Sequence, residues 1–333
     1  MTDVAGFVGL NLHSHLEGTV RPGTAAELAE AQGIPPPAGG WDGALRMREP
    51  GTLTTFLAHV AAAYPLFGTP GAIARIVAEA VEDSAADGVA YLEVRFGPAT
   101  HAGQTSIAEV VGAAADGLRE GMRRSGMPAG LVVSALRNHD GETNEAVARA
   151  AADHAGTGVV GFDVAGDEIL FPSLEPMVRP FGIAAAAGLG LTAHAGEAGA
   201  AQHVRDAVER LGVRRIGHGI RAADDGEVLR WAAGEDICFE QCPTSNVLTG
   251  AVSSYADHPV RAFVEAGCGV VIGDDDPTIT GAPLSAEFAT LVERVGLTAE
   301  EIQRIHATSV ERAFCDESTR RALRTRMAPG GGA

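Results

Sequence analysis

The chain has 333 residues, a formal net charge of −18, 46% hydrophobic residues, 20% charged residues, 43 glycines and 17 prolines. This length and apolar content suit one large α/β domain with many turns, or two domains of ordinary size. The acidic balance argues against nucleic acid and anionic membranes as partners, because binding to either needs clustered Lys or Arg side chains.

Short apolar runs alternate with longer segments of helical period along the chain. Eight runs are predicted strands: Val8–Leu12, Val89–Phe96, Ala129–Ala135, Val159–Val164, Leu189–Ala193, Arg215–Gly217, Ile237–Glu240 and Gly269–Ile272. Near-continuous apolar strands that alternate with helices indicate a parallel sheet covered by helices. Eight such units favour a (β/α)8 TIM barrel, in which active sites lie at the carboxyl ends of the strands. An open doubly wound sheet is the alternative, but no G-x-G-x-x-G motif follows the first strand.

The region after the first strand contains additional segments. Gly33–Thr52, with three consecutive prolines, is predicted to be a loop or insertion, and Leu53–Phe67 is predicted to be an apolar helix. This helix and its neighbours could form a lid over the barrel mouth, or the helix could simply pack against the barrel. We expect one catalytic domain over residues 1–333, without a linker, and a disordered tail at 328–333.

Two histidines near the N-terminus suggest a metal site. His13 and His15 are two residues apart, so on a strand both imidazoles point to the same face. His194 and Asp275 follow predicted strands five and eight, and three imidazoles with one carboxylate suit Zn²⁺ with an open position for water. Burying the three carboxylates of Asp274–Asp276 at the end of a strand costs free energy unless they are paired or metal-bound. A solvated acidic loop is the competing interpretation.

Two further residues suit acid–base chemistry beside such a metal. Glu197 lies three residues beyond His194, close enough to the site to transfer protons without being a ligand. His218 follows predicted strand six and could orient or deprotonate a metal-bound water; a purely structural histidine is the alternative.

These residues belong to an ordered series of motifs. The series comprises His13–Thr19, Tyr91–Phe96, Gly161–Glu168, His194–Glu197, Gly217–Ile220, Cys242–Asn246 and Asp275–Pro277. Together the motifs closely resemble the adenosine/adenine deaminase family, over about residues 8 to 315. The individual motifs are short, and their order makes the resemblance specific.

The resemblance implies one zinc ion per chain, bound by His13, His15, His194 and Asp275. It implies that Glu197 gives a proton to ring N1 of a purine, which makes C6 electrophilic. It also implies that His218, together with Asp275, holds and deprotonates the attacking water. The expected reaction is hydrolytic deamination of a 6-aminopurine nucleoside, such as adenosine or deoxyadenosine.

The resemblance further implies substrate contacts from His15, Glu17, Gly166 and Asp276. Asp276 would form a hydrogen bond with N7, and the backbone of Gly166 would meet N3. Adenosine deaminases usually have Asp in the place of Glu17, where it meets the ribose 5′-hydroxyl. Glu is common there in adenine deaminases and in relatives that act on 5′-modified adenosines, such as aminodeoxyfutalosine or methylthioadenosine. These substrates remain alternatives.

Two other classes of function compete with this hypothesis. One is a two-metal amidohydrolase, which in some barrels needs a carboxylated lysine; this chain contains no lysine. The other is a non-catalytic purine-binding relative, which would not need Glu197 beside a metal-bound water.

The remaining features predict the setting of the enzyme. No apolar stretch reaches the roughly 18–20 residues that span a bilayer, and the N-terminus lacks the positive region of a signal peptide. The four cysteines form no C-x-x-C pair and are expected to be reduced thiols. We therefore expect a soluble, cytoplasmic enzyme whose partner is a small purine nucleoside. The sequence does not indicate an oligomeric state.

Overall fold

The computed structural model describes residues 7–103 and 105–328. Within these residues, eight parallel strands lie in sequential order: β1 (Gly9–His15), β2 (Val89–Phe96), β3 (Ala129–Leu136), β4 (Val159–Ala165), β5 (Gly190–His194), β6 (Arg215–Gly217), β7 (Cys238–Gln241) and β8 (Gly269–Ile272). Ser14 on β1 bridges Asp275, just beyond β8, in parallel register. The N–H of Asp275 donates to the His13 carbonyl at 3.0 Å. The predicted (β/α)8 barrel is therefore confirmed, and it closes among the predicted metal ligands.

Helices surround the barrel and form its outer layer. They are α1 (Pro22–Gln32), α2 (Gly40–Leu45), α3 (Leu53–Ala63), α4 (Pro70–Ala86), α5 (Pro98–His101), α6 (Ile107–Ser125), α7 (Gly141–Asp153), α8 (Glu175–Ala186), α9 (Gln202–Leu211), α10 (Gly226–Gly234), α11 (Pro243–Leu248), α12 (Val260–Ala266), α13 (Pro277–Thr280), α14 (Leu284–Thr290), α15 (Ala299–Arg312) and α16 (Glu317–Met327). No helix in the described part of the chain is long and apolar enough to cross a membrane.

Helix α6 illustrates how local sequence sets these elements. Its N-cap Ser106 accepts the N–H of Glu109, whose side chain accepts the N–H of Ser106 in return, and Gly126 ends the helix in the left-handed region. A Cβ at Gly117 would clash with the carbonyl oxygen of Ala74 on α4. The glycine therefore lets the two helices approach closely.

The barrel interior is charged rather than uniformly apolar. Arg95 and Arg215 each donate to Glu240 at 2.7 Å, and Arg215 also donates to Glu93 at 2.7 Å. Arg95 additionally pairs with Asp163 at 3.4 Å. All five side chains are buried, where an unpaired charge would cost several kcal/mol. This network places the carboxylates of Glu240 and Asp163 directly beneath the barrel mouth.

The predicted loop at 33–52 is partly wrong. It contains the short helix α2, because Trp41 and Leu45 lie four residues apart and bury the same face in the core. The predicted helix over residues 53–67 is α3 followed by a 3-10 turn, Tyr64–Phe67. Of the predicted disordered tail, residues 329–333 lie outside the described residues, and the single-domain organisation stays a prediction.

Candidate active site

Four predicted metal ligands converge at the barrel mouth. Nε2 of His15 lies 3.1 Å from Nε2 of His194. Oδ1 of Asp275 lies 3.2 Å from Nε2 of His13 and 3.4 Å from Nε2 of His15. Ligand atoms of a tetrahedral ion with bonds of about 2.0–2.1 Å are separated by roughly 3.3 Å. The donor atoms therefore fit around a single divalent ion.

Carboxylates below the site orient two of these imidazoles. Nδ1 of His13 lies 2.7 Å from Oε2 of Glu240, and Nδ1 of His194 lies 3.1 Å from Oδ2 of Asp163. Each contact places a proton on Nδ1 and directs the Nε2 lone pair into the cluster, as in carboxylate–histidine–metal sites. Nε2 of His13 is buried and has no hydrogen-bond partner among the described residues, as expected of an atom whose partner is a metal.

The three consecutive aspartates experience different electrostatic environments. All are at least 95% buried, and burial raises the pKa of Asp274 to about 7. Burial and the neighbouring charge of Asp275 raise the pKa of Asp276 well above its usual range. Burial acts in the same direction on Asp275, but His13, whose Nε2 lies 3.2 Å from Oδ1, and the neighbouring His218 and His15 hold its pKa well below the usual value. Asp275 is thus the aspartate best suited to coordinate a cation.

Two residues of this site have strained backbone conformations. His218 and Asp275 have φ values of 56° and 59°, in the left-handed region that non-glycine residues seldom occupy. Such conformations cost on the order of 1–3 kcal/mol and concentrate at functional sites. In the described chain, Asp236 at a surface turn is the other non-glycine residue with positive φ.

A cavity of about 700 Å³ opens above the cluster. Glu197, His218 and Gly166 line it, together with Asp276 and Glu17. It also contains an apolar wall supplied largely by α3 and its 3-10 extension, comprising Leu53, Phe56, Leu57, Val60, Ala61 and Tyr64. The segment that could form a lid therefore lines the cavity, and its role as a lid stays a prediction.

His218 lies beside the cluster and faces the cavity. Its Nε2 is 3.9 Å from Oε1 of Glu197, and its Nδ1 contacts Nδ2 of Asn246 at 3.1 Å. Cys242 also lies within 4.8 Å of His13, His218 and Asp275. Burial raises the pKa of the Cys242 thiol well above its usual value, so it is not poised to be the thiolate that binds metals.

Glu17 has partners that its sequence position does not reveal. Its Oε1 accepts hydrogen bonds from Nε2 of His101 at 2.9 Å and from the N–H of Gly97 at 3.4 Å. The His101 ring stacks on Phe67 with a centroid distance of 4.2 Å. His101 was not among the residues singled out from the sequence, because nothing in its motif distinguishes it from a surface histidine at a helix end.

The carboxylates that contact two of the predicted ligand histidines were also missed. Asp163 and Glu240 interrupt strands that are otherwise apolar, and this interruption is the signal that could have identified them. A charged residue within a buried strand needs a partner, although the strand itself does not indicate which partner.

A family model described as adenosine deaminase matches residues 10–329 of this chain. The chain belongs to the adenosine deaminase family. An adenosine deaminase from Vibrio vulnificus is 34% identical over 320 residues, covering 94% of this chain and 96% of that protein. An adenosine deaminase from Enterococcus faecalis is 33% identical, covering 96% of this chain and 95% of that protein.

Solved structures agree with this placement in the adenosine deaminase family. An adenine deaminase from Arthrobacter aurescens is 28% identical with a TM-score of 0.88, covering 96% of this chain and 97% of that chain. An amidohydrolase from Burkholderia ambifaria with bound Zn is 26% identical with a TM-score of 0.88, covering 98% of this chain and 91% of that chain. The predicted family and the aminohydrolase class are confirmed, and the described cluster can hold a metal ion.

Proposed function

We propose that this protein is a zinc-dependent hydrolase that converts adenosine or 2′-deoxyadenosine, with water, to inosine or 2′-deoxyinosine and ammonia. The names of the relatives in Vibrio and Enterococcus support this substrate class. One observation carries the proposal most strongly. A cluster suited to one metal ion lies in the same cavity as Glu197 and His218.

The proposed ligands of one zinc ion per chain are His13, His15, His194 and Asp275. Their spacing and their three neutral imidazoles suit zinc, and the related Burkholderia structure with bound Zn supports this choice of metal. A bound Zn²⁺ supplies Lewis acidity, which lowers the pKa of a coordinated water to about 7.

Protein side chains supply the remaining chemistry. Glu197 delivers a proton to ring N1, so that C6 becomes electrophilic, and His218 holds the attacking water. N7 of a purine accepts hydrogen bonds, so Asp276 engages it as the protonated acid. The backbone N–H of Gly166, where φ is 105°, is available to N3. These contacts would turn the 6-amino group towards the proposed metal ligands.

Glu17 bears on the choice among substrates, because the resemblance places this residue at the ribose 5′-hydroxyl. Deamination of adenine is the second candidate, because the adenine deaminase from Arthrobacter is similar over nearly the whole chain. Deamination of a 5′-modified adenosine is the third, because Glu17 is longer than the Asp expected in adenosine deaminases. A rate panel of adenosine, 2′-deoxyadenosine, adenine, 5′-methylthioadenosine and aminodeoxyfutalosine distinguishes these candidates, and the highest kcat/KM identifies the substrate.

We also propose a cytoplasmic enzyme whose partner is a small molecule. The net charge of −18 supports a small polar substrate over nucleic acid. The cavity supports it too, because its volume of about 700 Å³ lies within the ordinary range for small-molecule sites.

Glu197→Gln tests the acid role directly. The amide keeps the size of the side chain but cannot transfer a proton, so kcat should fall by roughly 100-fold or more while bound zinc is unchanged. Asp167→Asn is the matched control, because Asp167 lines the same cavity but is bonded to the N–H groups of its own loop. Near-full activity of Glu197→Gln would refute the assignment.

A further inference from the structure

A buried chain of hydrogen bonds runs from the start of α12 to His218. We propose that Asn246 and His258 are positioning residues that hold His218 as the tautomer with its proton on Nε2. In this state His218 presents an N–H donor to the cavity rather than a lone pair. The inference rests on the proposed function and refines the role of His218 within it.

A backbone N–H group sets the donor-to-acceptor direction of this chain of hydrogen bonds. The N–H of Val260 points at Nδ1 of His258, 3.2 Å away. A backbone N–H can only donate, so Nδ1 of His258 accepts and its ring proton lies on Nε2. Burial lowers the pKa of His258 to about 3. The ring is therefore neutral near pH 7.

The amide of Asn246 transmits this direction. Nε2 of His258 lies 3.0 Å from Oδ1 of Asn246, and it donates there because it carries the proton. The amide nitrogen therefore faces Nδ1 of His218 at 3.1 Å. An amide nitrogen only donates, so Nδ1 of His218 must accept, and the proton of its neutral ring lies on Nε2.

Burial makes the opposite arrangement expensive. His218, Asn246 and His258 are 1%, 0% and 4% exposed. Rotating the amide would place its nitrogen against the N–H of His258. Two buried donors would then be unsatisfied, and each disfavours that arrangement by about 10- to 100-fold in population. The backbone of His218 is also held, because its N–H donates to the Glu240 carbonyl at 2.9 Å and its carbonyl accepts the Gln241 amide.

This tautomer determines which group accepts the proton of the attacking water. Nε2–H of His218 can donate to the oxygen of the attacking water, but it can neither take that water's proton nor bind the metal. The nearby carboxylate of Glu197, 3.9 Å from this nitrogen, is the acceptor. The O–H bond of water breaks, its proton passes through Glu197 to ring N1, and the oxygen bonds to C6. The second water proton then joins the amino group, and the C6–N bond breaks to release ammonia.

Asn246→Asp tests this inference on the zinc-loaded full-length protein. A carboxylate can only accept, so it keeps the bond from His258 but demands a proton on Nδ1 of His218. Histidine ¹⁵N chemical shifts read each tautomer directly. We expect the Nε2–H form of His218 in the native protein and the Nδ1–H form in the variant. A native protein with the proton on Nδ1 would overturn the proposal.

Kinetics provide the second measurement. With the lone pair of His218 turned into the cavity, kcat for the best substrate of the panel should fall by roughly 100-fold at unchanged zinc content. A variant that keeps or raises kcat would mean that His218 acts as a base, and would overturn the inference. If the native protein deaminates no substrate, the proposed function fails while the tautomer measurement still tests the hydrogen-bond chain.

Asn144→Asp is the matched control. Asn144 is equally buried, and its amide nitrogen donates to the carbonyls of Leu136 and His139 rather than to an imidazole. The substitution should destabilise the fold but leave the ¹⁵N shifts of His218 unchanged. If the tautomer of His218 also changed in this variant, general loosening of the fold would explain the effect. That result would contradict the role of Asn246.

Discussion

Asp163→Asn is expected to weaken zinc binding while leaving the four proposed ligands in place. Asp163 is fully buried, and its two oxygens lie 3.1 and 3.2 Å from Nδ1 of His194. Burial favours the neutral acid, but the charges of His194 and Arg95 hold the pKa of Asp163 well below its usual value. His194 is therefore oriented and made more basic by a carboxylate, and an amide would provide only a neutral acceptor.

The magnitude follows from the type of hydrogen bond. A bond to a charged group contributes about 1.5–3 kcal/mol, and a bond between neutral groups contributes about 0.5–1.5 kcal/mol. Replacing the charged acceptor by a neutral one therefore removes about 1–1.5 kcal/mol, which raises the Kd for zinc roughly tenfold. This value lies at the lower end of the 10- to 100-fold range typical of residues that orient metal ligands.

Competition with a chromophoric chelator measures this Kd. Glu93→Gln provides the control, because Glu93 is equally buried and pairs with Arg215 at 2.7 Å, in the same interior network, without contacting a proposed ligand. It should lower the free energy of unfolding but leave the zinc Kd within twofold. A zinc Kd for Asp163→Asn that equals the native value, or equal weakening in both variants, would refute the orienting role.

Two further predictions concern histidines whose rings stack on phenylalanines. Burial lowers the pKa of His306 to about 4 from a usual value of 6.5, so its contribution to stability is present above pH 6.5 and is lost as pH falls towards 4. At about 1.4 kcal/mol per pKa unit, urea unfolding should record a loss of about 3 kcal/mol that is absent in His306→Leu; identical pH profiles would contradict this. His101→Leu removes the donor to Glu17, so kcat/KM for adenosine should fall about tenfold, consistent with weakening one charge-assisted hydrogen bond. His306→Leu is its matched control, since His306 also stacks on a phenylalanine, Phe288, at 4.6 Å; an unchanged kcat/KM in His101→Leu would argue against a role for the pair in substrate binding.

Most of the fold could be predicted from periodicity, and the exceptions have local causes. The first strand extends to His15 rather than ending at Leu12, because pairing with β2 and the bridge at Ser14 continue through polar residues. Helix α2 was not predicted, because the prolines and glycines around it are typical of a loop, although two of its residues are buried in the core. Hydrophobic pattern detects a strand or helix by its buried face, so it fails where polar residues are buried or where a helix is short.

The sequence by itself determined the barrel, the family and the grouping of the proposed metal ligands. Carboxyl ends of parallel barrel strands meet at one mouth, so residues at those ends converge whatever their separation along the chain. The tertiary structure decided which groups act on them. Glu240 reaches His13 across 227 residues, and Asp163 reaches His194 across 31. Tautomer, charge and ring orientation depend on such contacts, and contact between distant residues is a property of packing rather than of motif.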